Sequence, residues 1–162
     1  MALDLFRIDE RLLHGQVIVG WGMRLGLERY VVVDDALATS EWEQDLYSAG
    51  LPPGVSADFF SVAEALERLP ELMELPERGA VMTRSTSVMR SLATAGLLDG
   101  RKVNVGGLHE GPDRRMALRY VSLRPDEADD LRAIQAAGGR VSARDLPTAR
   151  EVELEELLRA AD

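Results

Sequence analysis

The run Tyr30-Val31-Val32-Val33 constrains this chain more than any other segment: it is continuous, largely β-branched and passes straight into Asp34-Asp35. A strand that is apolar at every position has no face to offer water. It belongs inside a sheet covered on both sides, as in mostly parallel sheets. Further β-rich runs recur along the sequence, and strands are predicted over 3–8, 29–34, 56–60, 79–83, 102–105, 120–123 and 140–144.

Helical patterns fill the intervals. Val17, Trp21 and Leu25 fall at helical spacing over 16–25, and Trp21 and Met23 are expected in the core. Ser40-Glu41-Trp42-Glu43 and Ser61-Val62-Ala63-Glu64 both match the capping box, in which a serine and a glutamate close the first turn of a helix reciprocally. The segment 85–95 sets Val88, Leu92 and Ala95 on one side and stops at Gly96. Pro125 opens another helix, with Asp126, Glu127, Asp129 and Asp130 near the positive end of its dipole and Gly138-Gly139 at its close. Leu51-Pro52-Pro53-Gly54 reads as a turn within the domain, and the acidic tail, 151–162, as a peripheral helix or a frayed end. Strands alternating with helices imply βαβ units. The expected fold is therefore α/β: a single domain over 1–162, with a mostly parallel central sheet flanked by helices on both faces.

Composition narrows the function. A chain of 162 residues, 46% apolar and 29% charged, can bury one sizeable core and is not disordered in character. A net charge of -9 argues against nucleic acid, which the surface would repel. No segment approaches the roughly 18 consecutive apolar residues of a membrane span. Met1-Ala2-Leu3-Asp4 lacks the basic and apolar regions of a secretory signal, so a cytoplasmic location is expected. With no cysteine and only two histidines, neither disulfides nor a recognisable zinc framework is available, and no metal or cofactor is expected. Covalent chemistry falls to His, Ser, Thr, Lys, Tyr or a carboxylate.

The segment Arg7-Ile8-Asp9-Glu10-Arg11-Leu12-Leu13-His14-Gly15-Gln16-Val17 lies between the first predicted strand and the first predicted helix. In α/β sheets ligands bind outside the carboxyl ends of the strands, where this loop falls. A phosphoryl carrier needs a neutral imidazole as nucleophile, N–H donors for the dianion, and a main chain that comes close. His14 supplies the first, and Arg11 offers a planar fork suited to phosphate. Gly15 and the start of the Gln16 helix supply the last. Asp9 could orient an arginine or the imidazole, and the sequence does not decide which. The plainer reading makes His14 a capping or packing residue and pairs Arg7 and Arg11 with Asp9 and Glu10 as surface ion pairs, worth about 0–1 kcal/mol each.

The same run resembles the signature of the IIB component of mannose/fructose/sorbose-type sugar phosphotransferase systems, an Arg-x-Asp-x-Arg-Leu-x-His-Gly-Gln-Val stretch followed by a Trp, here Trp21. The likeness continues through Val31-Val32-Val33-Asp34-Asp35, Leu51-Pro52-Pro53-Gly54-Val55, Val103-Asn104-Val105-Gly106-Gly107, and Gly138-Gly139 with Arg144-Asp145-Leu146-Pro147. It departs at Thr39, where an Asn is usual, and at Ala49-Gly50-Leu51 before the Pro-Pro turn. The resemblance implies that His14 accepts a phosphoryl group from a histidine of a IIA partner. His14 would pass it to a sugar held by membrane IIC and IID components, at whose inner face the protein would sit peripherally. It also implies that Arg11 is the main phosphate-binding side chain, with Arg7 beside it, that Gly15 and Gln16 shape the anion loop, and that Asp9, Asp34 and Asn104 line the same end of the sheet. His109, next to the Asn104 turn, is a candidate for the same cleft. Arg114-Arg115 is a candidate docking feature, and Arg7, Arg11 and Arg84 could steer an acidic donor.

Two rivals use the same residues. One is a regulatory phosphohistidine module uncoupled from transport; the other is an enzyme using His14 as general acid/base on a small anion held by Arg7 and Arg11. The second lacks a nucleophile elbow, a phosphate loop or a metal-binding His-Glu-x-x-His run. The sequence names no sugar, and an acidic monomer and a small homo-oligomer both fit it.

Overall fold

The computed structural model describes residues 2–162. Six parallel strands form its main sheet: β1 (Ala2–Ile8), β2 (Arg29–Val33), β3 (Ser56–Phe60), β4 (Arg78–Thr83), β5 (Lys102–Val105) and β8 (Arg140–Ala143). The short β9 (Val152–Glu153) closes one edge antiparallel to β8. The spatial order is β3-β2-β4-β1-β5-β8-β9, so β1 lies centrally between β4 and β5. β6 (Arg115–Leu118) and β7 (Val121–Leu123) form a separate antiparallel hairpin.

Period-two alternation divides the strand residues between two cores. Phe6, Ile8, Val31, Val33 and Val81 face one side, where they meet α2 (Val62–Leu72), α3 (Thr86–Thr94), α4 (Pro125–Ala136) and α5 (Leu154–Ala160). Leu5, Tyr30, Val32, Ala80 and Met82 face the other, under a π-helix (Gln16–Met23) and α1 (Glu41–Ser48). Both faces are covered, which is why the Tyr30–Val33 run can be apolar throughout. The π-helix sits close to the sheet because Gly22 has no side chain: a Cβ there would collide with the Tyr30 hydroxyl.

Several expectations need correction. The segment 16–25 is a π-helix to Met23 rather than an ordinary helix, and Met23 points outward at 71% exposure while Trp21 is buried. The Ser61 capping box forms, with Ser61 Oγ accepting from Glu64 N and Glu64 Oε1 from Ser61 N. At Ser40 it does not form. That residue closes a 3-10 turn (Leu37–Thr39) with φ -120° and ψ 87°, away from the extended backbone of Ser61. The strand predicted over 120–123 belongs to the hairpin, not the main sheet. The tail is not frayed: α5 buries Leu154 and Leu157 in the core. Among the described residues no helix is long and apolar enough to cross a membrane.

Candidate functional site

The parallel strands carry their carboxyl ends to one edge, and β1 delivers Arg7 and Asp9 there. Arg7 lies on the π-helix side of β1 and is fully buried. All five of its N–H donors are used. Nε and Nη2 donate to Asp9 Oδ2 at 3.3 and 3.0 Å, and Nη1 donates to Asn104 Oδ1 and to the Arg144 carbonyl (2.9 Å). The second Nη2 proton reaches the Asp145 carbonyl at 3.2 Å. The guanidinium also lies 5.3 Å from the centroid of the Trp21 ring, whose Nε1 donates to the same Asp145 carbonyl. A charge so desolvated persists only with partners of this kind, and burial pulls its pKa down despite the neighbouring Asp9.

Asp9 is fully buried at the centre of this cluster. Its Oδ1 accepts from the Arg11 backbone N–H at 3.0 Å and from Arg11 Nε at 3.2 Å. Its Oδ2 takes the Arg7 donors, Arg11 Nη2 at 3.2 Å and His14 Nε2 at 3.3 Å. Burial alone would raise this pKa. The hydrogen bonds from His14 and Arg11 and the charge of Arg7 outweigh it and hold the carboxyl well below the usual range. The question left open by the sequence is answered: Asp9 holds both arginines and the imidazole.

Backbone geometry makes room for the cluster. Leu12 adopts φ +53°, a left-handed conformation that costs a branched residue on the order of 1–2 kcal/mol. Its side chain is fully buried, and its N–H donates to the Asp9 carbonyl in a tight turn that leads to His14. Just after β5, a Cβ on Gly106 would come within 2.6 Å of Asp9 Oδ2 and closer still to the Arg7 guanidinium. One on Gly107 would come within 3.2 Å of Arg11 and Asp9. The Gly-Gly pair therefore lets a neighbouring strand end lie against the charges.

On the outer side of Asp9, His14 has 17% and Arg11 34% of its side chain exposed. Arg11 Nη2 also donates to Gln16 Oε1 at 3.0 Å, while its Nη1 has no partner among the described residues. Gly15 stands at the mouth of the π-helix with nothing within 4 Å of where a Cβ would be. Of the other expected residues, Asn104 is buried opposite Arg7 in the register of β1 and β5 and also donates to the Arg144 carbonyl. Asp34, at the end of β2, takes a bidentate pair from Arg84 at 2.6 and 2.8 Å. His109 is 55% exposed, and its Nδ1 lies 3.2 Å from Glu10 Oε2; Arg114 pairs with the same Glu10 and with Glu127. Arg115 is exposed. Sequence reasoning missed Trp21 and the Arg144 and Asp145 carbonyls as parts of this site.

The fold and the site define an α/β domain that presents one histidine and a partly free arginine at the open edge of a parallel sheet, an arrangement suited to a small oxyanion. The family model described as PTS system sorbose subfamily IIB component matches residues 3–162, and the chain belongs to that family, a set of phosphotransferase-system components. It is 30% identical, over 88% of its length and 90% of the relative, to the N-acetylgalactosamine-specific phosphotransferase enzyme IIB component 1 of Escherichia coli (strain K12). It is 26% identical to the PTS system mannose-specific EIIAB component of the same strain, spanning 100% of this chain but only 50% of that relative. The crystal structure of manxB from Thermoanaerobacter tengcongensis superimposes with a TM-score of 0.87 at 26% identity, covering 97% of this chain and 95% of that one.

Proposed function

We propose that the chain is a phosphocarrier of a sugar phosphotransferase system and that Nδ1 of His14 is the atom that carries the phosphoryl group. The observation that carries this reading is the contact between His14 Nε2 and Asp9 Oδ2. A carboxylate held ionised only accepts, so the proton of the neutral imidazole sits on Nε2 and the lone pair on Nδ1. Nδ1 attacks the phosphorus of a IIA phosphohistidine; its N–P bond forms as the N–P bond of the donor breaks. In the second step the oxygen of a sugar hydroxyl bonds to the phosphorus as the Nδ1–P bond breaks, the electron pair returns to Nδ1 and the hydroxyl proton passes to solvent, while the sugar is held by membrane IIC and IID components. The mannose-specific relative, named EIIAB and matched over half its length, supports a IIA partner.

In this scheme Arg11 Nη1 and the N–H groups at the helix mouth around Gly15 and Gln16 take the phosphoryl oxygens, since a helix start leaves such donors without intrahelical partners. Asp9 steadies the imidazolium that forms when Nδ1 is phosphorylated. Arg7, its donors all committed inside the protein, acts as a positioning residue for Asp9, together with Asn104. The test is to mix the protein with phosphorylated IIA and read its mass. One acid-labile phosphoryl group, about 80 Da, present in the native protein and absent in His14→Ala, supports the reading. An unchanged mass with several donors removes it.

A further inference from the structure

Resting on the phosphocarrier reading, we propose that the outer face of α1 is the docking surface for the basic cytoplasmic side of the membrane permease that receives the phosphoryl group. Helix α1 buries none of its residues, yet it presents Trp42 at 70% and Leu46 at 67% exposure. The two are four apart and so lie one above the other on a helix, and Glu41 and Asp45 are exposed beside them. The helix carries Glu41, Glu43 and Asp45 and no basic residue. A large exposed aromatic with an aliphatic neighbour is the usual make-up of an interface anchor, and the exposed carboxylates of Glu41 and Asp45 beside it favour a partner of opposite charge. Cytoplasmic loops of membrane proteins are enriched in Lys and Arg, so such a surface suits a permease better than an acidic partner.

The helix is also tied to the correct end of the sheet. Gln44 Nε2 donates to the Leu37 carbonyl at 2.7 Å, and the Leu37 N–H donates to Asp34 Oδ1 at 3.0 Å. Asp34 is held in turn by Arg84, whose pKa is raised first by that bond and further by the charge of Glu43. Asp34 and Arg84 follow β2 and β4, so α1 starts at the edge of the sheet that also holds His14. A partner seated on α1 would meet the same edge. The arginine side at Arg11 remains for the donor, which gives the two partners surfaces of opposite sign.

The test uses the full chain with Trp42→Ala and Leu46→Ala together, and separately with Glu41→Lys and Asp45→Lys. All four positions are exposed, so the fold should hold, and circular dichroism checks it. Two rates are measured: phosphoryl uptake from IIA, and phosphorylation of sorbose, mannose, fructose or N-acetylgalactosamine by membrane vesicles containing IIC and IID. Each variant is expected to keep native uptake, while transfer to sugar at limiting protein falls about tenfold or more, as for loss of an interface anchor. Slowed uptake with unaffected transfer would assign the face to the donor instead. A halved mass in light scattering would assign it to a second copy of the chain, and lost binding to vesicles free of IIC and IID would assign it to lipid. Any of these, or unchanged transfer to sugar, overturns the proposal; failure of native protein to take up phosphate overturns the phosphocarrier reading itself.

Discussion

Replacing Asp9 by Asn removes one charge and two lone pairs from an acceptor that takes six hydrogen bonds among the described residues. The native carboxylate receives the Arg11 backbone N–H and Nε at Oδ1, and Arg7 Nε, Arg7 Nη2, Arg11 Nη2 and His14 Nε2 at Oδ2. An amide can turn its oxygen to only one of these sites. With the NH2 at the Oδ1 position it faces two donors; at the Oδ2 position it faces four. Either way the buried Arg7 loses its counter-charge, a change that costs about 3–5 kcal/mol when one member of a buried pair is removed. For a domain of this size each kcal/mol lowers Tm by about 2–4 °C, so Asp9→Asn should melt roughly 6–20 °C below the native protein. The assay is thermal unfolding of Asp9→Asn, Arg7→Met and the double variant. Because the Asn variant suffers mainly from a stranded Arg7, the double should be more stable than the summed losses predict, by at least about 2 kcal/mol. Phosphoryl uptake by Asp9→Asn should fall on the order of 10²-fold or more, since no carboxylate then holds the His14 tautomer or steadies the imidazolium. A melting point within about 3 °C of native, or strictly additive losses, would show that Asp9 is not the counter-charge on which the buried Arg7 depends.

Other perturbations bear on the same geometry. Gly106→Ala should destabilise by about 1–3 kcal/mol in denaturant titration and slow phosphoryl uptake, because its Cβ meets Arg7 and Asp9. Gly15→Ala should leave stability within about 0.5 kcal/mol, since its Cβ meets nothing, yet slow uptake if, as proposed, the phosphoryl oxygens sit at the helix mouth. The folded pKa of Asp9 is depressed, so its contribution to stability is fully present above the unfolded value of about 3.9 and is lost as pH falls towards the lower folded value. Unfolding titrations should therefore show an acid limb below about pH 4 that is weaker in Asp9→Asn. Leu157→Ala, which opens a void where α5 meets the core, should cost about 2–5 kcal/mol by the same titration.

Local pattern and tertiary geometry divide what the sequence could tell. The six parallel strands were legible to within a residue or two because each is a short β-rich run bounded by turn residues, whereas the two-residue edge strand Val152–Glu153 inside the acidic tail was not. The two-sided burial of Tyr30–Val33 followed from a lack of alternation. The hairpin partner Arg115–Leu118 was not legible: its first two residues are exposed, and its pairing with Val121–Leu123 leaves no periodic trace. The π-helix was hidden because Val17 and Trp21 satisfy ordinary helical spacing as well. At the site, the loop holding His14 and Arg11 could be found from residue types between a strand and a helix. The standing of Arg7 could not. Its partners Asn104, Arg144 and Asp145 lie far away in sequence, and two of them contribute only backbone carbonyls, which no side-chain motif records. The one available signal was Gly106-Gly107 directly after a strand, a mark of close approach whose object only the fold identifies.

The phosphorylated atom is read out by a long-range 1H–15N correlation spectrum of the 15N-histidine-labelled protein, before and after phosphorylation by IIA. It reports which ring nitrogen is protonated and which is bonded to phosphorus. A proton is expected on His14 Nε2 in the free protein and phosphorus on His14 Nδ1 afterwards, with the Nε2 proton retained. Phosphorus on Nε2, or on His109, would contradict that assignment.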